Sequence, residues 1–383
     1  MNVRDLLIAL VGCAVKDEAS DTCRFEKSLH REKAAALFKV SKKHDVAHLV
    51  AHALAEIGIE LDGEVWQLFQ KEKEQATLRY EMIRGDISEI CACFDGAGID
   101  YIPLKGAVVR EHYPEPWMRT SCDIDILVRE EDLDTAIDSL VEKCGYKTDR
   151  KKTYHDVSLY SPFGMHLELH YNIKANEPKY DKLLTRVWEF SKKGDGNCYL
   201  QLREFLMLHL ISHGAYHFSH GGCGVKTVLD LWLLNKQVDF DKTVLMELLT
   251  QTELVKFYQA LSTLGEYWFG GEVRADQTVL EMEKYILLGG VYGTAQQSAV
   301  TGQIKKGGKF KYFWSRIFMP YESLVILYPI IKKHKILTPF CQIARWFGAL
   351  FKRKRISREV KRVAGTEREQ IEKTKKLLND LGL

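Results

Sequence analysis

Apolar residues recur at helical spacing through the first 98 residues. Leu6, Leu7, Leu10, Val11 and Ala14 form one stripe, and Val46, Leu49, Val50, Ala53, Leu54 and Ile57 form another that Gly58 ends. The stretch Glu64 to Phe94 predicts one long helix or two. Gly96 and Gly98 then break the pattern. A short apolar run, Ile99 to Leu104, reads as a strand, and a helical turn follows over Ala107 to His112. Asp123 to Val128 alternates acids with β-branched residues, as a strand does when one face is buried. Glu130 to Cys144 predicts an amphipathic helix closed by Gly145. Two more strands are expected over Asp156 to Ser161 and Met165 to Ile173, parted by the turn Pro162-Phe163-Gly164. From Pro178 onward helical spacing returns, over Tyr199 to His217, Lys226 to Asn235, Phe240 to Leu249 and Thr366 to Leu381. The pattern predicts an α+β unit (99–177) between an N-terminal helical region (1–98) and a C-terminal helical region (178–383) with a basic tail.

Composition changes this picture little. A hydrophobic content of 46% and a charged content of 28% are ordinary for a globular chain, and the net charge is only +3. Nine cysteines occur without a C-x-x-C pair, which points to reduced thiols and a cytoplasmic setting. No apolar run reaches the length of a membrane span; Leu324 to Ile331 is interrupted by Pro329. Leu10-Val11-Gly12-Cys13 imitates a lipoprotein cleavage site, but the residues ahead of it carry no net side-chain charge. A first helix packed into the core is the simpler reading. Charge is uneven: 352–362 holds seven basic residues and one acid, next to Trp346, Phe347 and Phe351. Nucleic acid, an anionic surface and plain solvent all remain open as its surroundings.

The chemistry concentrates in two strands. In Asp123 to Val128, side chains two apart share a face, so Asp123 and Asp125 project together. Two carboxylates so placed repel unless a cation joins them, and hard oxygen ligands suit Mg²⁺, with Mn²⁺ as a substitute. In Met165 to Ile173, His166, Glu168 and His170 share a face, adding a third carboxylate. If the two strands are neighbours, three carboxylates converge, as a two-metal phosphoryl-transfer site requires. Upstream, Gly106 lets backbone approach a phosphate, Lys105 adds a point charge, and Arg119 offers a planar fork of donors. For Arg119 an ion pair with Asp123 or Asp125 is the alternative.

Histidines recur elsewhere. His44, His48 and His52 fall at i, i+4, i+8 and read as satisfied core or surface residues. His209, His213 and His217 have the same spacing; the outer two are about 12 Å apart along a helix, too far for one ion. Three readings of that face stay open: the wall of a cleft, a metal-binding pair, or structure alone. Asp230, within VLDLWLL, is an acid on an apolar helix that also suits a cleft. His170, His166, His213 and Asp230 are the candidate substrate contacts.

Taken together, L-K-G, a helix with Tyr-Pro, an Arg, D-I-D-I-L-V and a later E-L-H-Y resemble the nucleotidyltransferase superfamily of DNA polymerase beta. Within it the pattern is most similar to the bacterial uncharacterised nucleotidyltransferase family, over about Ile99 to Ile173. The resemblance implies a small mixed-sheet core and Mg²⁺-dependent transfer of a nucleoside monophosphate from an NTP, ATP by expectation, to a hydroxyl. Carried over, Gly106 is the turn glycine and Asp123, Asp125 and Glu168 are the metal-binding and catalytic carboxylates; with Gly106, Lys105 and Arg119 would cradle the triphosphate. The acceptor would be a small molecule, a sugar or a protein side chain. Two features depart from the family pattern. The turn is Lys-Gly-Ala, lacking the usual hydroxyl, and sixteen residues separate Gly106 from Asp123. Two rival functions remain: a catalytically silent, antitoxin-like module, and a D-x-D glycosyltransferase. The latter predicts a nucleotide-binding α/β fold ahead of Asp123.

Overall fold

The computed structural model describes residues 1–16, 25–175, 177–237, 239–271, 273–291, 293–350 and 368–383. The basic stretch 352–362 lies outside the described residues. Four helices come first: α1 (Val3–Ala14), α2 (Arg31–Lys43), α3 (Ala47–Ile57) and α4 (Gly63–Ala97). The last is one continuous helix, ended by Gly98 in the left-handed conformation, which costs a residue without Cβ little. Next come β1 (Tyr101–Pro103), α5 (Gly106–Val109), β2 (Asp123–Val128), α6 (Leu133–Cys144), β3 (Asp156–Tyr160) and β4 (His166–His170). After these run α7 (Pro178–Leu184), β5 (Ser191–Lys193), β6 (Tyr199–Gln201), α8 (Arg203–Ser219), α9 (Val225–Gln237), α10 (Lys242–Gln251) and α11 (Val255–Gly265). Then follow α12 (Gln277–Gly289), α13 (Ala295–Lys305), α14 (Lys309–Ile317), α15 (Tyr321–Leu327), α16 (Ile330–Lys333), α17 (Thr338–Leu350) and α18 (Arg368–Leu381). The class is α+β with helical flanks.

The main sheet is mixed, in the order β1-β2-β4-β3. β2 runs antiparallel to β1 and parallel to β4, and β3 closes the far edge antiparallel to β4. One face carries Ile124, Ile126, Val128, Leu167 and Leu169, which form a core with Leu133, Ile137 and Leu140 of α6 and Ile83, Ile90 and Phe94 of α4. Hydrophobic side chains on alternate positions therefore fix which face is dry, and the acids take the other.

A second, larger core joins the two helical regions. Leu7, Leu10 and Val11 of α1, Leu49 and Val50 of α3, Phe205 and Leu208 of α8, and Leu229 and Leu233 of α9 all belong to it. Ile102, Leu104 and Leu127 reach it from the sheet. The first helix is thus a core element, with Leu7, Leu10 and Val11 fully enclosed. No helix among the described residues is long and apolar enough to cross a membrane.

One hairpin, of two strands, differs from the sequence reading. Tyr199–Gln201, expected as the start of a helix, is a strand paired with Ser191–Lys193. The hairpin extends the sheet edge through a bridge from Cys198 to Tyr101. Three-residue strands are too short for a period of two to show, so pairing partners decide them.

Buried histidines of the core carry a pH consequence. His48 on α3 is buried, and its Nε2–H donates to the carbonyl oxygen of Met118 at 2.8 Å. Burial pushes its pKa down to about 4. Above pH 6.5 the folded and unfolded chains both hold His48 neutral. Below it the unfolded chain takes up a proton that the folded chain refuses until about pH 4, so stability falls across that window. The loss is expected to reach about 3 kcal/mol from this group. Denaturant titrations at pH 7 and pH 5 check it: His48→Gln, which keeps a donor for Met118, should show a shallower pH slope than wild type.

Candidate active site

The strand register builds the site. In the parallel β2–β4 pair, Asp123 lies opposite His166, Asp125 opposite Glu168, and Leu127 opposite His170. Partners in register point to the same face, so the face left by the buried isoleucines and leucines carries all three carboxylates and both histidines. Asp123, His166 and Glu168 each offer a ligand atom within 4.8 Å of the others, and so do Asp125, Glu168 and His170. Among the described residues these are the two three-ligand groups, and Glu168 belongs to both. The donor set fits a hard divalent cation: carboxylate oxygens, with imidazoles at the margin.

The acids are not equivalent. Asp125 Oδ1 accepts hydrogen bonds from Lys105 Nζ at 2.8 Å and from His170 Nε2 at 2.9 Å. Burial alone would raise the Asp125 pKa, but Lys105 and His170 outweigh it and hold the carboxyl well below the usual range. Burial, followed by the charges of Asp125 and Glu168, pushes Asp123 upward. Glu168 is lowered by its interaction with His170, whose Nε2 is 3.6 Å from Oε2. His170 is itself raised: burial acts against the imidazolium, but Asp125 and Glu168 more than compensate. Its Nδ1 is buried without a hydrogen-bond partner, and its ring lies 5.2 Å from that of His155. His166 turns its Nε2 to the Ser158 hydroxyl at 3.0 Å.

The turn after β1 delivers Lys105. The Leu104 amide donates to the Asp125 carbonyl oxygen at 3.0 Å, and the chain then reverses at Lys105 with φ of 41°. A positive φ at a residue with a side chain is strained, and such strain is held where surrounding contacts over-determine the position. Here the Lys105–Asp125 ion pair is one such contact. Gly106 packs closely on Ser121: a Cβ built on it would lie 3.3 Å from the Ser121 Cβ. Arg110, buried below, donates to the Gly106 carbonyl oxygen at 2.8 Å and to Ser121 Oγ at 3.1 Å. A hydroxyl absent from the Lys-Gly-Ala turn itself thus stands beside it, that of Ser121, brought there from just ahead of β2. Sequence reasoning missed Ser121 because it lies fifteen positions beyond Gly106.

The opposite wall comes from α8 and α9. Together the two sides enclose a cleft of about 770 Å³, lined by Lys105, Asp123, Asp125 and Glu168 on one side and by His209, His213, His217, Lys226 and Asp230 on the other. His213 and His217 share a hydrogen bond between their Nε2 atoms at 3.1 Å. Burial pushes His213 well below its ordinary pKa and His217 to about 4. The α8 histidines belong to neither three-ligand group.

Asp230 is tied to Arg119. The guanidinium of Arg119 meets the carboxylate through Nε at 2.8 Å and Nη2 at 2.8 Å, and Tyr113 donates its hydroxyl to the same acid at 2.7 Å. Nη1 of Arg119 donates to the Thr120 carbonyl oxygen at 2.6 Å. The sequence alternative, an ion pair of Arg119 with Asp123 or Asp125, is not what forms; Asp230 takes that place. Arg119 lines the cleft with its fork directed at α9. Beside it Lys226 donates to Asp45 Oδ2 and to the Thr120 carbonyl oxygen. Lys226 also escaped the sequence reading, although it stands four residues before Asp230 and so shares its helix face. The sixteen residues between Gly106 and Asp123 are thereby explained. They carry Tyr113, Met118 and Arg119 into the helical core before the chain returns to the sheet.

Residues 30–270 match a protein family described as uncharacterised nucleotidyltransferase. No curated protein and no solved structure matches the chain.

Proposed function

Because the chain belongs to the uncharacterised nucleotidyltransferase family, we propose that it transfers a nucleoside monophosphate from an NTP, ATP foremost, to a hydroxyl of an acceptor, releasing pyrophosphate. The observation that carries this reading is the β2–β4 register, which pairs Asp125 with Glu168 and sets Asp123 two residues ahead on the same face. Asp123, Asp125 and Glu168 would hold Mg²⁺, with Mn²⁺ as a substitute. When bound, such a metal neutralises phosphate charge and polarises the oxygens around phosphorus.

The protein's own groups then have separate tasks. Lys105 brings a cation to the phosphate side, and Gly106 with the Ser121 hydroxyl forms the adjoining contact surface. Arg119 offers the phosphates the donor capacity that Asp230 and Thr120 leave unused. Glu168, kept ionised by His170, accepts the proton of the attacking hydroxyl, and His170 orients it. His213 and Asp230 belong to the acceptor side of the cleft. The cytoplasm supplies the NTP. The four helices ahead of β1 are not the α/β nucleotide-sugar fold that a glycosyltransferase reading requires.

The test is incubation of the full chain with α-labelled NTPs, Mg²⁺ and cell extract. Label should pass to an extract component and stop on chelation of the metal. No transfer with any of the four NTPs, together with no nucleotide binding, would support the silent module instead.

A further expected result concerns Lys105. Its replacement by Ala removes one charge-assisted hydrogen bond, a loss of about 1.5–3 kcal/mol. Nucleotide should bind roughly ten- to a hundredfold more weakly, as read by equilibrium dialysis. Lys105→Arg should not restore it, since a planar fork does not match the place of a point charge.

A further inference from the structure

The helices beyond α13 expose an unusual surface. Of the 21 large hydrophobic residues exposed among the described residues, ten fall between Phe310 and Phe347. On α14, Phe310, Phe313 and Trp314 recur at i, i+3, i+4, and Phe318 follows just beyond. On α17, Phe340, Ile343 and Phe347 recur at i, i+3, i+7. These are the spacings of single apolar helix faces, and here they face outward. Phe310 is 72% exposed, Phe340 66% and Phe347 61%; Ile336, on the turn before α17, is 82% exposed.

The two faces are held together. The Phe318 ring meets Trp346 edge-on at 5.3 Å and stacks on Trp314 at 5.0 Å. Trp346 Nε1 donates to the Ile317 carbonyl oxygen at 2.8 Å, and Gln342 donates to that of Met319 at 3.3 Å. The two helices are therefore packed on each other, with Trp314 and Phe318 of the exposed α14 side joined to α17 through Trp346.

Charge distinguishes the occupants of such a patch. Residues 305–347 hold nine Lys or Arg and one Glu, net +8, while the rest of the chain holds 46 bases against 51 acids, net −5. Lys332, Lys333 and Lys335 stand exposed between Ile330 and Ile336. Amphipathic helices with basic residues beside exposed aromatic and aliphatic side chains lie in the interface of an anionic bilayer. Aliphatic residues such as Ile336 and Ile343 find hydrocarbon in a bilayer, whereas nucleic acid offers them neither stacking nor pairing. None of these helices is long and apolar enough to span, which fits a surface that lies on a membrane. We propose that the α14–α17 face docks the protein onto an anionic phospholipid surface. This does not rest on the nucleotidyltransferase reading, because none of these residues lines the cleft.

The test uses the full chain with phosphatidylcholine vesicles, alone or with about 30% phosphatidylglycerol to give a negative surface potential. Flotation should show binding at least about tenfold tighter to the anionic vesicles, weakening as salt rises. Phe310→Gln/Phe340→Gln/Phe347→Gln should lose about tenfold or more of that binding, since the apolar faces no longer enter the interface. Lys332→Glu/Lys333→Glu/Lys335→Glu should lose a similar factor. Both variants should keep the wild-type circular dichroism spectrum and nucleotide binding. Equal binding to the two vesicle types, or no binding to either, overturns the proposal. So does binding unchanged in both variants. Duplex DNA binding that exceeds vesicle binding, and that the lysine variant loses while the phenylalanine variant keeps it, would assign the face to nucleic acid and overturn the proposal. A dimer dispersed by the phenylalanine variant, without vesicle binding, would assign it to a second copy of the chain.

Discussion

Asp125→Asn is expected to lower label transfer by at least about a thousandfold. A bound metal contributes several kcal/mol of charge stabilisation at the reacting phosphorus, and each 1.36 kcal/mol is a factor of ten. Asp123→Asn should lose activity on a similar scale, because the proposed metal site needs both acids. The two substitutions part company in stability. Asp125 sits between Lys105 and His170 and accepts from both. Removing its charge leaves a buried lysine and an imidazole without their shared counter-ion, so the metal-free variant should be markedly less stable. Asp123 is instead pressed by burial and by the charges of Asp125 and Glu168. Its neutral replacement relieves that repulsion, so the metal-free Asp123→Asn protein should be as stable as wild type or more so. Denaturant titrations in chelator, run beside transfer assays in Mg²⁺, separate the two effects. Transfer unchanged in both variants would remove the carboxylates from the reaction. Equal destabilisation by both would contradict the electrostatic asymmetry.

Asp230→Ala is expected to destabilise the fold by about 3–5 kcal/mol, the usual cost of removing one partner from a buried ion pair. The Arg119 guanidinium would lose its two-point contact, and the Tyr113 hydroxyl its acceptor. Tyr113→Phe removes only one neutral donor to the pair and should cost about 1 kcal/mol. Arg119→Met added to Asp230→Ala should recover part of the loss, since it removes the stranded charge. Urea titrations of wild type, Asp230→Ala, Arg119→Met and their double variant form the cycle, with Tyr113→Phe measured beside them. A functional consequence accompanies the structural one. Arg119 and Thr120 lead directly into β2, and Lys226 grips the same segment through Thr120 and Asp45. The helical wall therefore sets where Asp123 begins, and Asp230→Ala should weaken nucleotide binding even under conditions where the protein stays folded. If binding is unchanged in the folded variant, the clamp is structural alone.

Much of the acidic face could be read from local pattern. Ile124, Ile126 and Val128 bury one side of β2, and a strand with a period of two leaves Asp123 and Asp125 no other face. The same alternation placed Glu168 with His166 and His170. Gly145 ended its helix where expected, and Gly98 ended α4, although Gly96, expected to break the pattern too, lies within that helix. Other features escaped for a common reason. The β5–β6 hairpin exists through its pairing, not through the propensity of three residues. Arg119 has two carboxylates close in sequence, yet it binds Asp230, 111 residues away.

The amino-acid order alone set most of the elements, the dry face of the sheet and the residue types offered to a metal, because these follow from side-chain periodicity over a few residues. It placed Lys105 and Gly106 together and, through that pair, suggested where phosphate would lie. The tertiary fold alone set β4 beside β2 in parallel register, bringing Asp125 and Glu168 face to face. It also decided that Lys105 and His170 converge on one oxygen of Asp125, that Ser121 stands beside Gly106, and that Arg119 is held by α9. Each of these depends on which buried charges find one another across long separations, and that is settled by packing of the whole chain and not by any local pattern.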